Sequence, residues 1–176
     1  IHDEYGTLAD FDALLADAEQ HNIKILMDLV PSHCSNEHEW FQAALLAEPG
    51  SAERARFYFR DGKGDGNEPP NNWRAAFGGS AWTRVNDRDD DGQWYLGTFT
   101  LHQPDFDHTH VDVKQHFADI LEFWFDRGVA GFRVDAVAPT GKHPDLPDQP
   151  PVGADVGILD ITRVNPYTVF RPEGHD

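Results

Sequence analysis

Apolar residues at Leu8, Phe11, Leu14, Leu15 and Ala18 recur at the i, i+3, i+4, i+7 spacing of a helix packed on one face. Thr7 stands where an N-cap belongs, with Asp10 three residues on. The pattern predicts a helix over residues 8–22. It is followed by Ile23-Lys-Ile-Leu-Met-Asp-Leu-Val30, a β-rich, mostly apolar run stopped by Pro31 and expected to be a strand buried on both faces. Helical spacing returns from Val111 through Phe117, Ile120, Leu121, Trp124 and Phe125, and Arg127-Gly128 supplies a stop. Residues 129–137 then read as another short buried strand. Two helix-then-strand units predict a parallel sheet flanked by helices, either doubly wound or closed into a barrel.

Residues 34–108 between these units exceed what an αβ connection requires. They hold a helix candidate over 37–46, Gly/Asp/Asn/Pro-rich loops over 61–72, and two aromatic strands over 81–85 and 93–99 joined by an Asp-rich turn. The expected organisation is a barrel or sheet segment over 1–33, an inserted subdomain over 34–108 and a second segment over 109–176. After Ala138, five of the chain's twelve prolines fall by Pro151, which predicts a long irregular loop.

Composition narrows the function classes. With 14 Lys+Arg against 31 Asp+Glu, the formal charge of the 176-residue chain is −17, while 39% hydrophobic and 12% aromatic content is enough for a folded core. Nucleic acid and anionic membrane surfaces are poor partners for such a chain; a neutral or cationic one fits. Cys34 is the single cysteine, so an internal disulfide or cysteine-rich zinc site is excluded and a cytoplasmic setting is expected. No run approaches the roughly 20 apolar residues of a membrane span. The chain opens at Ile1 with neither an initiator Met nor a signal peptide and reads as a piece of a longer protein. Aspartates number 22 against nine glutamates and four lysines, the balance expected of a protein that tolerates high salt.

Two constellations could carry chemistry. Residues i and i+2 of a strand share a side, so Arg133 and Asp135 in Gly131-Phe-Arg-Val-Asp-Ala-Val137 project together, with Phe132 and Val134 facing the helix layer. An arginine there keeps a carboxylate ionised and oriented at the strand's C-terminal end, where active sites of parallel barrels sit. A structural ion pair closing the strand is the alternative. The other strand offers Asp28 near its end and His33 on the loop beyond, and a lone loop histidine is usually a solvated surface residue. Asp87-Arg-Asp-Asp-Asp-Gly92 mimics the opening of a calcium loop, but its twelfth position is Thr98 rather than a bidentate Glu, so an acidic hairpin is expected.

In combination these residues resemble the α-amylase superfamily of glycoside hydrolases, in its α-glucosidase and oligo-1,6-glucosidase branch. Asp28-Leu-Val-Pro-Ser-His-Cys-Ser-Asn-Glu-His-Glu-Trp-Phe41 is similar to the branch's first signature; Asn71-Asn-Trp-Arg-Ala-Ala-Phe-Gly-Gly-Ser-Ala-Trp82, Gln103-Pro-Asp105 and Gly131-Phe-Arg-Val-Asp135 follow in family order. Asn165-Pro-Tyr167 and Arg171-Pro-Glu173 resemble the stretch toward the next barrel strand. The resemblance implies an α/β fold: a partial (β/α)₈ TIM barrel from second helix to fourth strand, with domain B inserted between the third strand and third helix. It also implies retaining cleavage of α-glucosidic bonds. By motif position Asp135 is the nucleophile, Arg133 positions it, Asp28 supports the arginine, His33 hydrogen-bonds the sugar, and Gln103, Phe77 and Phe99 line the glucose pocket.

Ser32 and Cys34 replace the Asn and Thr usual beside the signature histidine, so the loop is expected to lack the support that this Asn provides. Ala136 after the nucleophile favours α-1,4 bonds. The family's general-acid Glu and its His-Asp pair lie beyond Asp176, and Glu173, His175 and Asp176 precede the strand that carries the acid. The isolated chain is therefore expected to be inactive. No cofactor is implied; a structural calcium of the full-length protein would use ligands outside this chain. The implied partner is a small α-glucoside or maltooligosaccharide. A glucosyl-transferring isomerase, of trehalose synthase or sucrose isomerase type, and a non-catalytic homologue of the fold are the alternatives.

Overall fold

The computed structural model describes residues 3–85 and 92–149. In chain order the elements are α1 (Leu8–Gln20), β1 (Leu26–Leu29), α2 (Glu39–Leu46), α3 (Ala52–Ala55), β2 (Phe59–Asp61), β3 (Trp82–Arg84), β4 (Gln93–Leu96), α4 (Val111–Asp126) and β5 (Gly131–Val134), with 3₁₀ turns at Asp3–Tyr5 and Ala138–Thr140. Thr7 opens α1 with the predicted partner: its hydroxyl accepts from the Asp10 N–H, and the Asp10 carboxylate accepts from the Thr7 N–H at 2.7 Å. The helix stops short of the predicted end because Asn22 adopts φ +56, a left-handed conformation that asparagine tolerates and that turns the chain toward β1.

β1 and β5 pair in parallel with Asp28 opposite Arg133, the arrangement the two helix-strand units predict. Helices α1 and α4 lie together behind this pair, Phe11 meeting Trp124 edge-on at 5.1 Å and Arg127 pairing with Asp12 at 2.8 Å. Phe132 turns to the same layer, 5.0 Å from Phe125.

The expectation of strands buried on both faces is corrected. Leu26 is 62% exposed, Val30 is also exposed, and β1 alternates exposed with half-buried positions. Among the described residues this sheet has two strands, and α1 and α4 cover one side of it. Among the described residues, the face bearing Leu26, Asp28 and Val30 is left exposed. Both strands are also shorter than the apolar runs predict, since the hydrogen-bonded ladder extends only over the paired register.

The inserted region is denser. Its three antiparallel strands take the order β2-β4-β3. β3 and β4 match the two aromatic strands; α3 and β2 were not predicted, although Phe57-Tyr-Phe59 carried the signal. Phe41, Phe57, Phe59, Tyr95, Phe106 and Val113 form one buried core. Tyr58, Trp73, Trp82, Leu96 and Leu146 form a second on the opposite side. Arg54 is buried in the first, with Nε donating to the Ala44 carbonyl, Nη1 donating to Gln93 Oε1 at 2.6 Å, and its guanidinium over the Phe59 ring. The Asp-rich turn lies, apart from Gly92, outside the described residues, as do residues 150–176 with the two later motifs. Among the described residues no helix is long and apolar enough to cross a membrane.

Candidate active site

Parallel pairing in register puts Asp28, Arg133 and Asp135 together at the C-terminal ends of β1 and β5. Arg133 Nη1 donates to Asp28 Oδ1 at 2.8 Å and Nη2 to Asp135 Oδ1 at 3.1 Å. The guanidinium thus lies between two like charges and gives each carboxylate one hydrogen bond. The Asp135 backbone N–H is fixed by the Leu29 carbonyl at 2.8 Å, while its Oδ2 carries no hydrogen bond among the described residues. All three side chains remain at least half exposed, because they sit on the uncovered face of the sheet.

His33 belongs to a second chain of contacts that joins the barrel loop to the insert. It forms an antiparallel bridge with Asp105. Its Nδ1 lies 2.8 Å from Ser32 Oγ and its Nε2 lies 2.9 Å from the Gln103 side-chain nitrogen. With Gln103 Oε1 accepting from the Thr100 hydroxyl at 3.0 Å, the Gln103 amide donates to Nε2, and Nδ1–H is left to donate to Ser32. Phe99 lies 5.0 Å from the imidazole and Phe77 6.3 Å from Phe99, with Phe77 open to solvent. Burial pushes the His33 pKa below its ordinary value; Asp105 and Asp135 pull it up and Lys142 pushes it down. With its pKa held down chiefly by burial, the imidazole serves as a neutral hydrogen-bonding group near neutrality.

The expected loss of loop support at Ser32 is corrected. Ser32 is fully buried, its hydroxyl holds His33, and its carbonyl accepts from the Phe106 N–H at 3.0 Å. The next residue, Cys34, has its thiol pushed up to about 12, first by burial and then by Asp105, so it is inert near neutrality.

Sequence reasoning missed the support beneath His33. Asp105 is completely buried, accepts hydrogen bonds from the Thr98 N–H and hydroxyl, and pairs with Lys142 at 2.9 Å, the lysine ammonium also standing over the Tyr58 ring. Lys142 carried no local signal beyond being one of four lysines, in a proline-rich stretch. Among the described residues no three His, Cys, Asp or Glu side chains stand together as a metal site.

Arg133 thus holds two carboxylates at the C-terminal ends of parallel strands, with His33, Phe99 and Phe77 on the loops beyond. The alpha-amylase family, described as alpha amylase, catalytic domain, matches residues 1–176, and the chain belongs to that family. It is 45% identical to Maltase 1 of Drosophila virilis over 98% of this chain and 27% of that protein. It is 39% identical to the oligo-1,6-glucosidase of Heyndrickxia coagulans over 88% of this chain and 27% of that protein. Among solved structures, the trehalose-6-phosphate hydrolase of Bacillus licheniformis superposes with a TM-score of 0.78 at 36% identity, covering 94% of this chain and 28% of the other. An isomaltulose synthase from Klebsiella superposes with a TM-score of 0.79 at 38% identity, covering 86% and 26%. The chain thus spans about a quarter of the length of the relatives it matches, and its fold is a partial α/β segment of the family's TIM barrel with domain B.

Proposed function

We propose that the chain is part of a retaining glycoside hydrolase that cleaves terminal α-glucosidic bonds of short oligosaccharides, α-1,4 in preference to α-1,6. The observation that carries this is the Arg133 guanidinium gripping Asp28 and Asp135 from neighbouring parallel strands. In this reading Asp135 Oδ2 attacks the anomeric carbon as the bond from that carbon to the glycosidic oxygen breaks, the departing oxygen taking its proton from a general-acid carboxyl group of the longer protein, and water then opens the resulting glycosyl-enzyme. Asp135 is suited to nucleophilic attack because Arg133 fixes one of its oxygens and leaves the other without a hydrogen bond among the described residues.

Gln103 offers its second amide N–H to the sugar, and His33, whose two ring nitrogens are taken up by Ser32 and Gln103, hydrogen-bonds the sugar by exchanging Gln103 at Nε2 for a sugar hydroxyl. Phe77 and Phe99 supply apolar ring faces. Residues 34–108 act as domain B, forming one wall of the pocket, with 1–33 and 109–176 as the barrel segments. No cofactor enters this chemistry, and a structural calcium, where present in the longer protein, is held by other residues. The partner is a small neutral α-glucoside rather than nucleic acid or membrane, the assembly state is open, and the setting is cytoplasmic.

In the full-length enzyme Asp135→Asn is expected to abolish turnover with the fold intact, measured on 4-nitrophenyl α-glucoside. Appreciable residual hydrolysis would falsify the nucleophile assignment. The isolated 176-residue chain is expected to show no turnover, since no motif-matched residue in it supplies the second carboxyl group that retaining hydrolysis needs. A glucosyl-transferring isomerase is the second reading, favoured by the close superposition on an isomaltulose synthase. Product analysis on maltose and sucrose separates the two, glucose without an isomeric disaccharide excluding transfer. A non-catalytic homologue is disfavoured by the joint presence of Asp28, His33, Arg133 and Asp135.

A further inference from the structure

Asn71-Asn72-Trp73 has no part in the chemistry just described, yet it sits where the segment following Asp135 crosses the inserted sheet. Asn71 is buried and its amide is engaged at both ends: Oδ1 accepts from the Trp73 N–H at 3.0 Å and from the Trp82 indole at 2.7 Å, and Nδ2 donates to the Leu146 carbonyl at 2.9 Å. Asn72 is exposed and pairs with Gln149 as a strand neighbour would. Its Nδ2 donates to the Gln149 carbonyl at 2.8 Å, and its Oδ1 accepts from the Gln149 N–H at 2.7 Å. The Asn72 backbone N–H donates to Asp148 at 3.0 Å, and the Trp73 indole donates to the Pro147 carbonyl at 2.8 Å. Leu146 itself is buried in the second core of the insert.

The backbone of this segment is strained at both ends. Ala136, immediately after Asp135, has φ +50, and Leu146 has φ +45. Side chains with a Cβ disfavour that left-handed region, and such residues persist only where their surroundings impose the conformation. Upstream the imposition comes from β5 and the bond between the Asp135 N–H and Leu29. Downstream it comes from the Ala138–Thr140 turn, the buried Lys142–Asp105 pair and the two asparagines.

We infer that Asn71 and Asn72 are positioning residues for Asp135. By clamping residues 146–149 onto the insert they keep Ala136 left-handed, and so set the direction in which the Asp135 carboxylate meets Arg133. This rests on the reading of Asp135 as nucleophile. It assigns the Asn-Asn-Trp motif the task of coupling domain B to the turn behind that carboxylate.

The test uses the full-length enzyme with Asn72→Ala, chosen because its side chain is exposed whereas Asn71→Ala strands the buried Trp82 indole. The expected result is faster hydrogen exchange at amides 146–149 and a kcat on maltose lowered about 10- to 100-fold, the scale of a small misplacement of a reacting group, with KM moved less than about threefold. A role confined to stability is separated by a double-mutant cycle with Ala136→Gly, since glycine adopts positive φ without the Cβ penalty. Independent sites add; the clamp predicts that Asn72→Ala lowers kcat at least about threefold less in the Ala136→Gly background. Unchanged exchange at 146–149, unchanged kcat despite faster exchange, or an additive cycle would each overturn the inference. Residual hydrolysis by Asp135→Asn would instead remove the nucleophile reading beneath it, so the two failures are distinguishable.

Discussion

The two sheets of this chain are built from similar apolar strands but are covered differently. β2, β4 and β3 lie between two aromatic cores, and Leu96 at the end of the central strand is 1% exposed. β1 and β5 have helices behind them and an open face in front, with Leu26 62% exposed and Arg133, Asp28 and Asp135 on that same side. The inserted sheet is covered on both sides, with Val113 and Leu146 lent by the second barrel segment, whereas among the described residues the β1–β5 pair is covered on one side. The Asp28–Arg133–Asp135 cluster sits on the half with the open face, and the loop after β1 is tied to the insert through His33, Gln103, Asp105 and Lys142.

This contrast can be broken by substitution. The largest stability loss is expected inside the insert: Phe41 is 1% exposed and meets Phe57 and Tyr95 edge-on, so Phe41→Ala should cost about 3–5 kcal/mol in denaturant unfolding. Lys142→Ala should cost a similar amount, about 3–5 kcal/mol, because it strands the buried Asp105 charge. The paired change Lys142→Met with Asp105→Asn should recover much of that loss; a double variant no better than the single one would show that packing rather than charge is at stake.

Leu26→Ala probes the open face directly. In the 176-residue chain it should cost less than about 0.5 kcal/mol. In the full-length protein, where the remaining barrel is proposed to cover that face, it should cost about 2–5 kcal/mol. Equal effects in the two contexts would mean that the face stays uncovered.

Acid should weaken the junction between the halves. His33, His108 and His116 all have pKa values pushed down, first by burial in each case. Each is neutral when folded and binds its proton more readily when unfolded. Their stabilising effect is therefore fully present above the ordinary imidazole value of 6.5 and is lost as pH falls below it toward the folded values. Unfolding midpoints compared at about pH 7.5 and 5.5 should show the decrease; equal midpoints would contradict it. The smallest effect belongs to the surface pair of Arg127 and Asp12, which joins α4 to α1 with the aspartate side chain 49% exposed. A double-mutant cycle on it should give about 0.2–1 kcal/mol, reduced by salt.

Much of the framework was legible locally. The spacing of Leu8, Phe11, Leu15 and Ala18, the Thr7–Asp10 box and the Gly128 stop located α1 and α4 because helix geometry repeats over three or four residues. Alternation placed Arg133 and Asp135 on one side of a strand for the same reason. β2 escaped because its aromatics show their role only when paired with Tyr95. The hold of Ser32 and Gln103 on His33 escaped in part, since Gln103 lies 70 residues from the histidine it orients.

By itself, then, the sequence determined α1, β1, α4 and β5 and set Arg133 on the same side of its strand as Asp135. Only tertiary structure decided that one face of β1 is open, that Asp105 finds a lysine, and that Asn71 reaches Leu146 across 75 residues. Periodicity is written in neighbours, but burial and buried hydrogen bonds depend on partners that folding brings from far along the chain, and no local pattern specifies which they will be.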